Sequence, residues 1–143
     1  QEKTDKILQN GWYETGDIAK LDEDGFITIT GRLSRFSKIG GEMVPHEAIE
    51  QVLLESCADY SEPVIAVTSI PCERKGEKLI VLYAEALGDK EPLLESLKQS
   101  DIPNLWKPHH QSFYKIAKLP VLGTGKLDLK GIRTTAVEMA NRT

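Results

Sequence analysis

Apolar and polar positions change period several times along the chain, and each change marks an element. Ile18 to Leu21 and Phe26 to Thr30 flank Asp22-Glu23-Asp24-Gly25, whose closing Asp-Gly supplies the positive φ of a tight turn, so a β-hairpin is predicted. The next stretch, Gly31 to Val44, has three glycines, three cations and no clear period, and reads as a mobile connection. Helical spacing begins after it: Ile49, Val52, Leu53 and Cys57 share one face of a helix predicted from about Pro45 to Ser56. Pro63 to Ile70 and Leu79 to Ala86 are β-branched and apolar, and predict two neighbouring strands separated by the polar PCERKGEK. Asp89 is placed to cap a short helix carrying Leu93, Leu94 and Leu97, and IPNLWKPHH reads as an irregular loop. Ser112 to Leu119 predicts a third strand. From Leu127 onward, Ile132, Ala136, Met139 and Ala140 predict a terminal helix whose first turn Gly131 weakens.

The order predicts an α+β fold: a small open sheet of about three strands with helices packed on it, preceded by a hairpin. The domain boundary is expected near Ser34, giving residues 1–33 and 34–143. At 143 residues the chain can bury a core without disulfide or metal staples. Cys57 and Cys72 are too far apart for a CxxC pair and fit a reducing, cytoplasmic setting. Net charge is −4, which argues against a dedicated nucleic-acid binder. That charge is unevenly placed: residues 1–33 carry 7 acidic and 4 basic side chains, whereas Asp101 to Arg133 carries 6 cations and 2 carboxylates. No apolar run approaches the roughly 18 residues of a membrane span. The polar opening, QEKTDKILQNGWYETGD, reads as a cut from within a longer protein.

Candidate chemistry starts with GTGK, Gly123 to Lys126. A phosphate-binding P-loop also ends in Gly-Lys, but it needs Gly five residues before its last Gly and Ser or Thr after the Lys; Pro120 and Leu127 stand there instead. What survives is a turn that can deliver one cation to an anion. His46, His109 and His110 have no Cys or carboxylate cluster to complete a metal shell, and Trp106 and Phe113 read as core or interface residues.

Taken together, YETGD (Tyr13 to Asp17), GRLSRFSKIGGEMVPHEAIE (Gly31 to Glu50) and LPVLGTGKLD (Leu119 to Asp128) resemble, in order and separation, three motifs of the adenylate-forming superfamily. That superfamily holds acyl-CoA ligases, firefly luciferase and peptide-synthetase adenylation domains. KIGGEMV followed by EAIE is most similar to the acyl-carrier-protein synthetase half of the bacterial bifunctional 2-acylglycerophosphoethanolamine acyltransferase/acyl-carrier-protein synthetase. The resemblance implies that residues 1–33 end a larger N-terminal adenylation domain and that 34–143 form its C-terminal lid. It implies a full-length ligase that activates a fatty acid with ATP and Mg2+, then passes the acyl group to a phosphopantetheine thiol of acyl carrier protein, or of CoA as the alternative. The phosphate loop, the magnesium-binding glutamate and the acyl pocket are expected in that N-terminal domain, so the fragment alone is expected to be inactive. The setting implied is cytoplasmic, with inner-membrane association of the full-length protein left open.

The resemblance also assigns residues. Asp17 matches the aspartate that holds the ribose hydroxyls, a task suited to a bidentate acceptor. Arg32 matches an arginine beside ribose and phosphate, where a planar guanidinium engages paired oxygens. Lys126 matches the lysine bridging the substrate carboxylate and the α-phosphate during adenylation. Lys38 and Gly41 match the opposite face, used in thioester formation, where a residue without Cβ lets a pantetheine arm pass. Ser34 holds the hinge position, where Asp or Lys is more usual, and Ala48 replaces a Glu common there, leaving Glu50 of that pair. Standing alone, each of these residues reads as a turn residue or a solvated charge. A rival of another class is a non-catalytic carrier-protein docking module that uses the basic stretch Lys107 to Arg133 against an acidic partner.

Overall fold

A computed structural model describes residues 8–9, 12–13 and 17–142. The chain divides into two compact units, Gln1–Phe36 and Ser37–Thr143. The expected boundary at Ser34 falls within the last three residues of the first unit.

In the first unit, β1 (Leu8–Gln9) pairs antiparallel with β2 (Trp12–Tyr13), and β3 (Asp17–Leu21) with β4 (Ile27–Arg32). The β3–β4 turn is built as its sequence predicts. Asp22 Oδ1 accepts the N–H groups of Asp24 at 3.0 Å and Phe26 at 2.9 Å, and Gly25 takes φ +84°. A 3-10 turn, Leu33–Arg35, follows and contains the exposed Ser34.

The second unit corrects the reading of Gly31 to Val44 as a mobile connection. Its second half is a hairpin of β5 (Phe36–Ile39) and β6 (Glu42–Pro45) joined by Gly40 and Gly41. Both glycines have positive φ, +56° and +91°, the requirement of a two-residue primed turn whose twist matches the flanking strands. Four-residue strands are too short to show a period, and glycines that close a hairpin look in sequence like glycines that loosen a loop.

Helix α1 (His46–Leu54) leaves directly from Pro45, which ends β6 with extended ψ and stands at the N-cap. The central sheet is β7 (Ile65–Cys72), β8 (Gly76–Ala84) and β9 (Phe113–Ile116) in that spatial order, β7–β8 antiparallel and β8–β9 parallel. The parallel pair needs a crossover, and residues 85–112 supply it with α2 (Glu91–Gln99). Asp89 does not cap α2: Lys90 holds that position, without a side-chain bond, and Pro92 lies in the first turn. Asn104–Trp106 of the expected irregular loop forms a 3-10 turn. Helix α3 (Leu129–Arg142) closes the fold.

Both faces of the sheet are covered, which is why its strands read as nearly continuous apolar runs. Ile65, Val67, Leu79, Val81 and Phe113 pack with Ile49 and Leu53 of α1 and Leu93 and Leu97 of α2. The alternate residues, Ala66, Ile70, Ile80 and Leu82, pack with Ile132 and Ala136 of α3. The α+β architecture with a small three-stranded sheet and a separate hairpin is therefore the expected one. Glu50, on the buried face of α1, accepts the Val67 N–H at 2.8 Å and so occupies the free edge of β7. Among the described residues no helix is long and apolar enough to cross a membrane.

Candidate functional site

The motif residues fall in three places. In the first unit, the β3–β4 register sets Asp17 directly across from Arg32. Cα atoms of facing residues in an antiparallel pair lie about 4.5–5.5 Å apart. Two positions fifteen residues apart in sequence thus share the open end of one hairpin, and Arg32 is exposed there.

Lys38, Gly40 and Gly41 form the tip region of the β5–β6 hairpin and are exposed. Three contacts fix this hairpin. The Lys38 N–H donates to Glu77 Oε2 at 2.7 Å, the Gly40 N–H donates to the Lys75 carbonyl at 3.0 Å, and buried Ser37 hydrogen-bonds through Oγ to Nε2 of buried His46. The hairpin therefore lies against residues 75–77, the end of the sheet where β8 begins.

Lys126 sits on a different device. Val121 and Leu127 form an antiparallel bridge, the Leu122 N–H donates to the Lys126 carbonyl at 2.8 Å, and the Gly125 N–H donates to the Leu122 carbonyl at 2.9 Å. With Gly125 at φ +86°, this is a three-residue hairpin loop ending in a left-handed glycine. Its base is tied to α3. The Asp128 N–H donates to the Pro120 carbonyl at 3.0 Å, and Asp128 Oδ1 accepts the Gly131 N–H at 3.2 Å, capping the helix. Gly131 looked like a flaw in that helix, and packing explains it: a Cβ there would lie 2.7 Å from Asp128 Oδ2 and 3.0 Å from the Pro120 Cβ. Lys126 is exposed at the tip.

Gly125 and Leu127 line a groove with Pro63, Val64 and Ile65, the start of β7, whereas Lys38 and Gly40 bond to the start of β8. Because Ile65 pairs with Tyr83, six residues along β8 from Glu77, the two loops stand at opposite ends of one sheet. At about 3.3 Å per residue that separates them by roughly 20 Å. Lys38 and Lys126 are not brought together.

Glu77 and Asp128 are given no role by the sequence reading, and Gly131 is read there only as a weak point of its helix. A signal for Glu77 existed: it continues the alternation of Leu79, Val81 and Tyr83 toward the α1 face, where a charged side chain needs a partner. Phe113 is core and Trp106 packs against the same cluster, as expected. His109 stacks on His110 with ring centroids 4.3 Å apart, and among the described residues no group of three metal-capable side chains occurs.

Electrostatic perturbation also marks the hairpin end. The Cys72 thiol is held below its ordinary value by the N–H groups of Lys75 and then Arg74; partial burial opposes this, and the charges of Lys78 and Lys75 assist. Tyr83 is pushed up, first by burial and then by the Asp89 charge.

No protein-family model matches the chain. It is 43% identical over 142 residues to YdaB of Bacillus subtilis, named as an acyl-CoA ligase, covering 95% of this chain and 26% of that protein. It is 31% identical over 150 residues to the medium/long-chain-fatty-acid–CoA ligase FadD8 of Mycobacterium tuberculosis, covering 99% of this chain and 25% of that protein. Its fold superimposes on ATP-bound MatB from Rhodopseudomonas palustris with a TM-score of 0.68 at 24% identity, covering 96% of this chain and 27% of that one. The chain thus spans about a quarter of the length of the relatives it matches. Motif order, fold and relatives support one placement, the C-terminal domain of the adenylate-forming acyl-CoA ligase superfamily.

Proposed function

We propose that this chain is the lid of an ATP-dependent acyl ligase, with residues 1–33 completing the N-terminal domain it works against. A fatty acid carboxylate attacks the α-phosphorus of ATP, taken as its magnesium complex, and the bond to pyrophosphate breaks. A phosphopantetheine thiol then attacks the acyl carbon and AMP leaves. Lys126 serves the first step, where a fixed cation stabilises charge moving between carboxylate and phosphate without exchanging a proton. The Lys38–Gly41 hairpin serves the second, and Asp17 and Arg32 hold the nucleotide. Rotation about Ser34, in the 3-10 turn near the junction of the two units, exchanges one loop for the other. The observation that carries this reading is the placement of the two loops at opposite ends of one covered sheet. A rigid body with two ends can present only one of them at a time.

The names of the relatives favour CoA as the thiol. Acyl carrier protein is the second reading, favoured by KIGGEMV followed by EAIE. Offering both acceptors to the intact enzyme decides between them. The test of the mechanism is Lys126→Ala in that enzyme. Acid-dependent exchange between ATP and pyrophosphate is expected to fall by about 10²–10³, the scale of losing one aimed donor at a developing charge. Unchanged exchange would refute the lysine's role and favour the docking module. The 143-residue chain alone is expected to give no ATP-dependent acyl transfer.

A further inference from the structure

We infer that Glu77 is a positioning residue for thioester formation, acting through the backbone of Lys38. The inference rests on the reading that the Lys38–Gly41 hairpin serves the second step. Its two carboxylate oxygens are divided between two tasks: Oε2 accepts the Lys38 N–H at 2.7 Å and Oε1 accepts the Ser69 hydroxyl at 2.9 Å. Ser69 is buried in β7, so the carboxylate is anchored on the rigid central sheet and reaches out to a separate two-stranded hairpin. A hydrogen bond to an ionised acceptor is stronger than a neutral one, and this one spans 39 residues of sequence.

The point of attachment matters. The Lys38 N–H belongs to a residue of the loop proposed to serve thioester formation, and the neighbouring tie, from the Gly40 N–H to the Lys75 carbonyl, lies beside Gly41. Losing the Glu77 bond would remove the tie on the Lys38 side of the two-glycine turn, leaving Gly40 bonded to Lys75 and Ser37 to His46. The Lys126 loop closes on its own backbone and makes no use of Glu77. A defect at Glu77 should therefore reach one half-reaction and not the other.

The experiment uses the full-length enzyme and reads two rates, ATP–pyrophosphate exchange and single-turnover transfer of the acyl group from adenylate to CoA. In Glu77→Ala the ratio of transfer to exchange is expected to fall about tenfold, the order of losing one hydrogen bond to a charged group. Amide exchange in the peptide spanning 36–45 should accelerate. Glu77→Gln keeps a carbonyl oxygen for the Lys38 N–H and should restore the ratio to within about threefold of the parent. Should Glu77→Ala fail to fold, Ser69→Ala, which frees the other oxygen, is expected to shift the same ratio in the same direction by a smaller factor. An unchanged ratio, or equal loss of both rates in a folded variant, overturns the inference. Gly41→Leu run in parallel separates the two failures: if it too leaves the ratio unchanged, the role proposed for the hairpin falls and Glu77 with it; if it lowers the ratio while Glu77→Ala does not, only Glu77 falls.

Discussion

The two ends of the central sheet carry loops of similar size and glycine content that are held by opposite strategies. The Lys126 loop closes on itself: its bridge, its turn and its base are all main-chain hydrogen bonds within residues 120–128. The Lys38–Gly41 hairpin also has a left-handed turn, yet its position depends on neighbours, on Glu77, on the Lys75 carbonyl and on the buried Ser37–His46 pair. A self-closed loop delivers one side chain at a fixed angle. A hairpin held from outside can carry a passage beside its backbone, and it can be disturbed from a distance. The difference predicts that substitutions outside the Lys126 loop will act mainly through its base at α3, while the hairpin will be sensitive to residues on other strands.

The largest effect that tests this contrast is expected at Gly41. Its φ of +91° is a conformation that side chains bearing Cβ rarely adopt, yet nothing lies within 4 Å of the place a Cβ would occupy. The cost of Gly41→Leu is therefore backbone strain, about 1–2 kcal/mol, with no packing clash to add. On the function proposed for the hairpin, a pantetheine arm would pass through this open space, so thioester formation should fall by more than the strain implies, about tenfold or greater. Adenylation should change far less. Stopped-flow transfer and ATP–pyrophosphate exchange on the same preparation check the split, and equal loss of both in a folded variant would remove the role proposed for the hairpin.

Gly131→Ala addresses the other end. Alanine in a helix interior gains about 1 kcal/mol over glycine. Here the new methyl would meet Asp128 Oδ2 at 2.7 Å and the Pro120 Cβ at 3.0 Å, so the cap must shift or the loop must move. Overpacking of this kind costs about 1–3 kcal/mol, and disturbing a cap about 1 more. The clash outweighs the propensity gain, and the lid should lose about 1–3 kcal/mol of stability, read by urea unfolding. Because Asp128 and Pro120 form the base of the Lys126 loop, exchange should fall more than transfer. A stabilised variant with unchanged exchange would show that the loop is indifferent to its base.

Much of this contrast was legible in the sequence, and the part that was not has a common physical cause. The long apolar strands and the α1 and α3 faces are periodic, so they announce themselves. Lys126, Lys38 and Gly41 stand out as candidates through motif wording. The β5–β6 hairpin was not: four-residue strands have no measurable period, and paired glycines signal a turn and a loose joint equally. Glu77 and Asp128 were missed, and Gly131 was read only as a helix weakness, because their roles depend on hydrogen-bond partners or on a space too small for a methyl group. Asp89 looked like a cap because its residue type suits one, but the helix begins one residue later, after Lys90.

The smallest effect distinguishes the two cysteines and reports on the hairpin end without any assay of catalysis. Cys57 lies three residues beyond α1, and its thiol donates to the Leu53 carbonyl at 3.4 Å. Cys72 ends β7, and the N–H groups of Lys75 and Arg74 favour its thiolate, lowering its titration below the ordinary value of 9.0. The thiolate is the nucleophile, so iodoacetamide should label Cys72 before Cys57 near neutral pH, by a few fold. Its rate should level off at a lower pH than that of a free thiol. The sign for stability follows from the same shift. Between the folded and the unfolded titration points the unfolded chain binds the extra proton, so the Cys72 contribution grows as pH rises toward 9 and is lost as pH falls through the folded value. Cys72→Ser should remove that slope. Lys75 supplies both the N–H that lowers the thiol and the carbonyl that accepts the Gly40 N–H, so labelling at Cys72 reads the docking of the hairpin directly. If Gly41→Leu changes the Cys72 rate while Gly131→Ala does not, the two ends of the sheet respond independently; equal changes from both would mean that the lid loosens as one body.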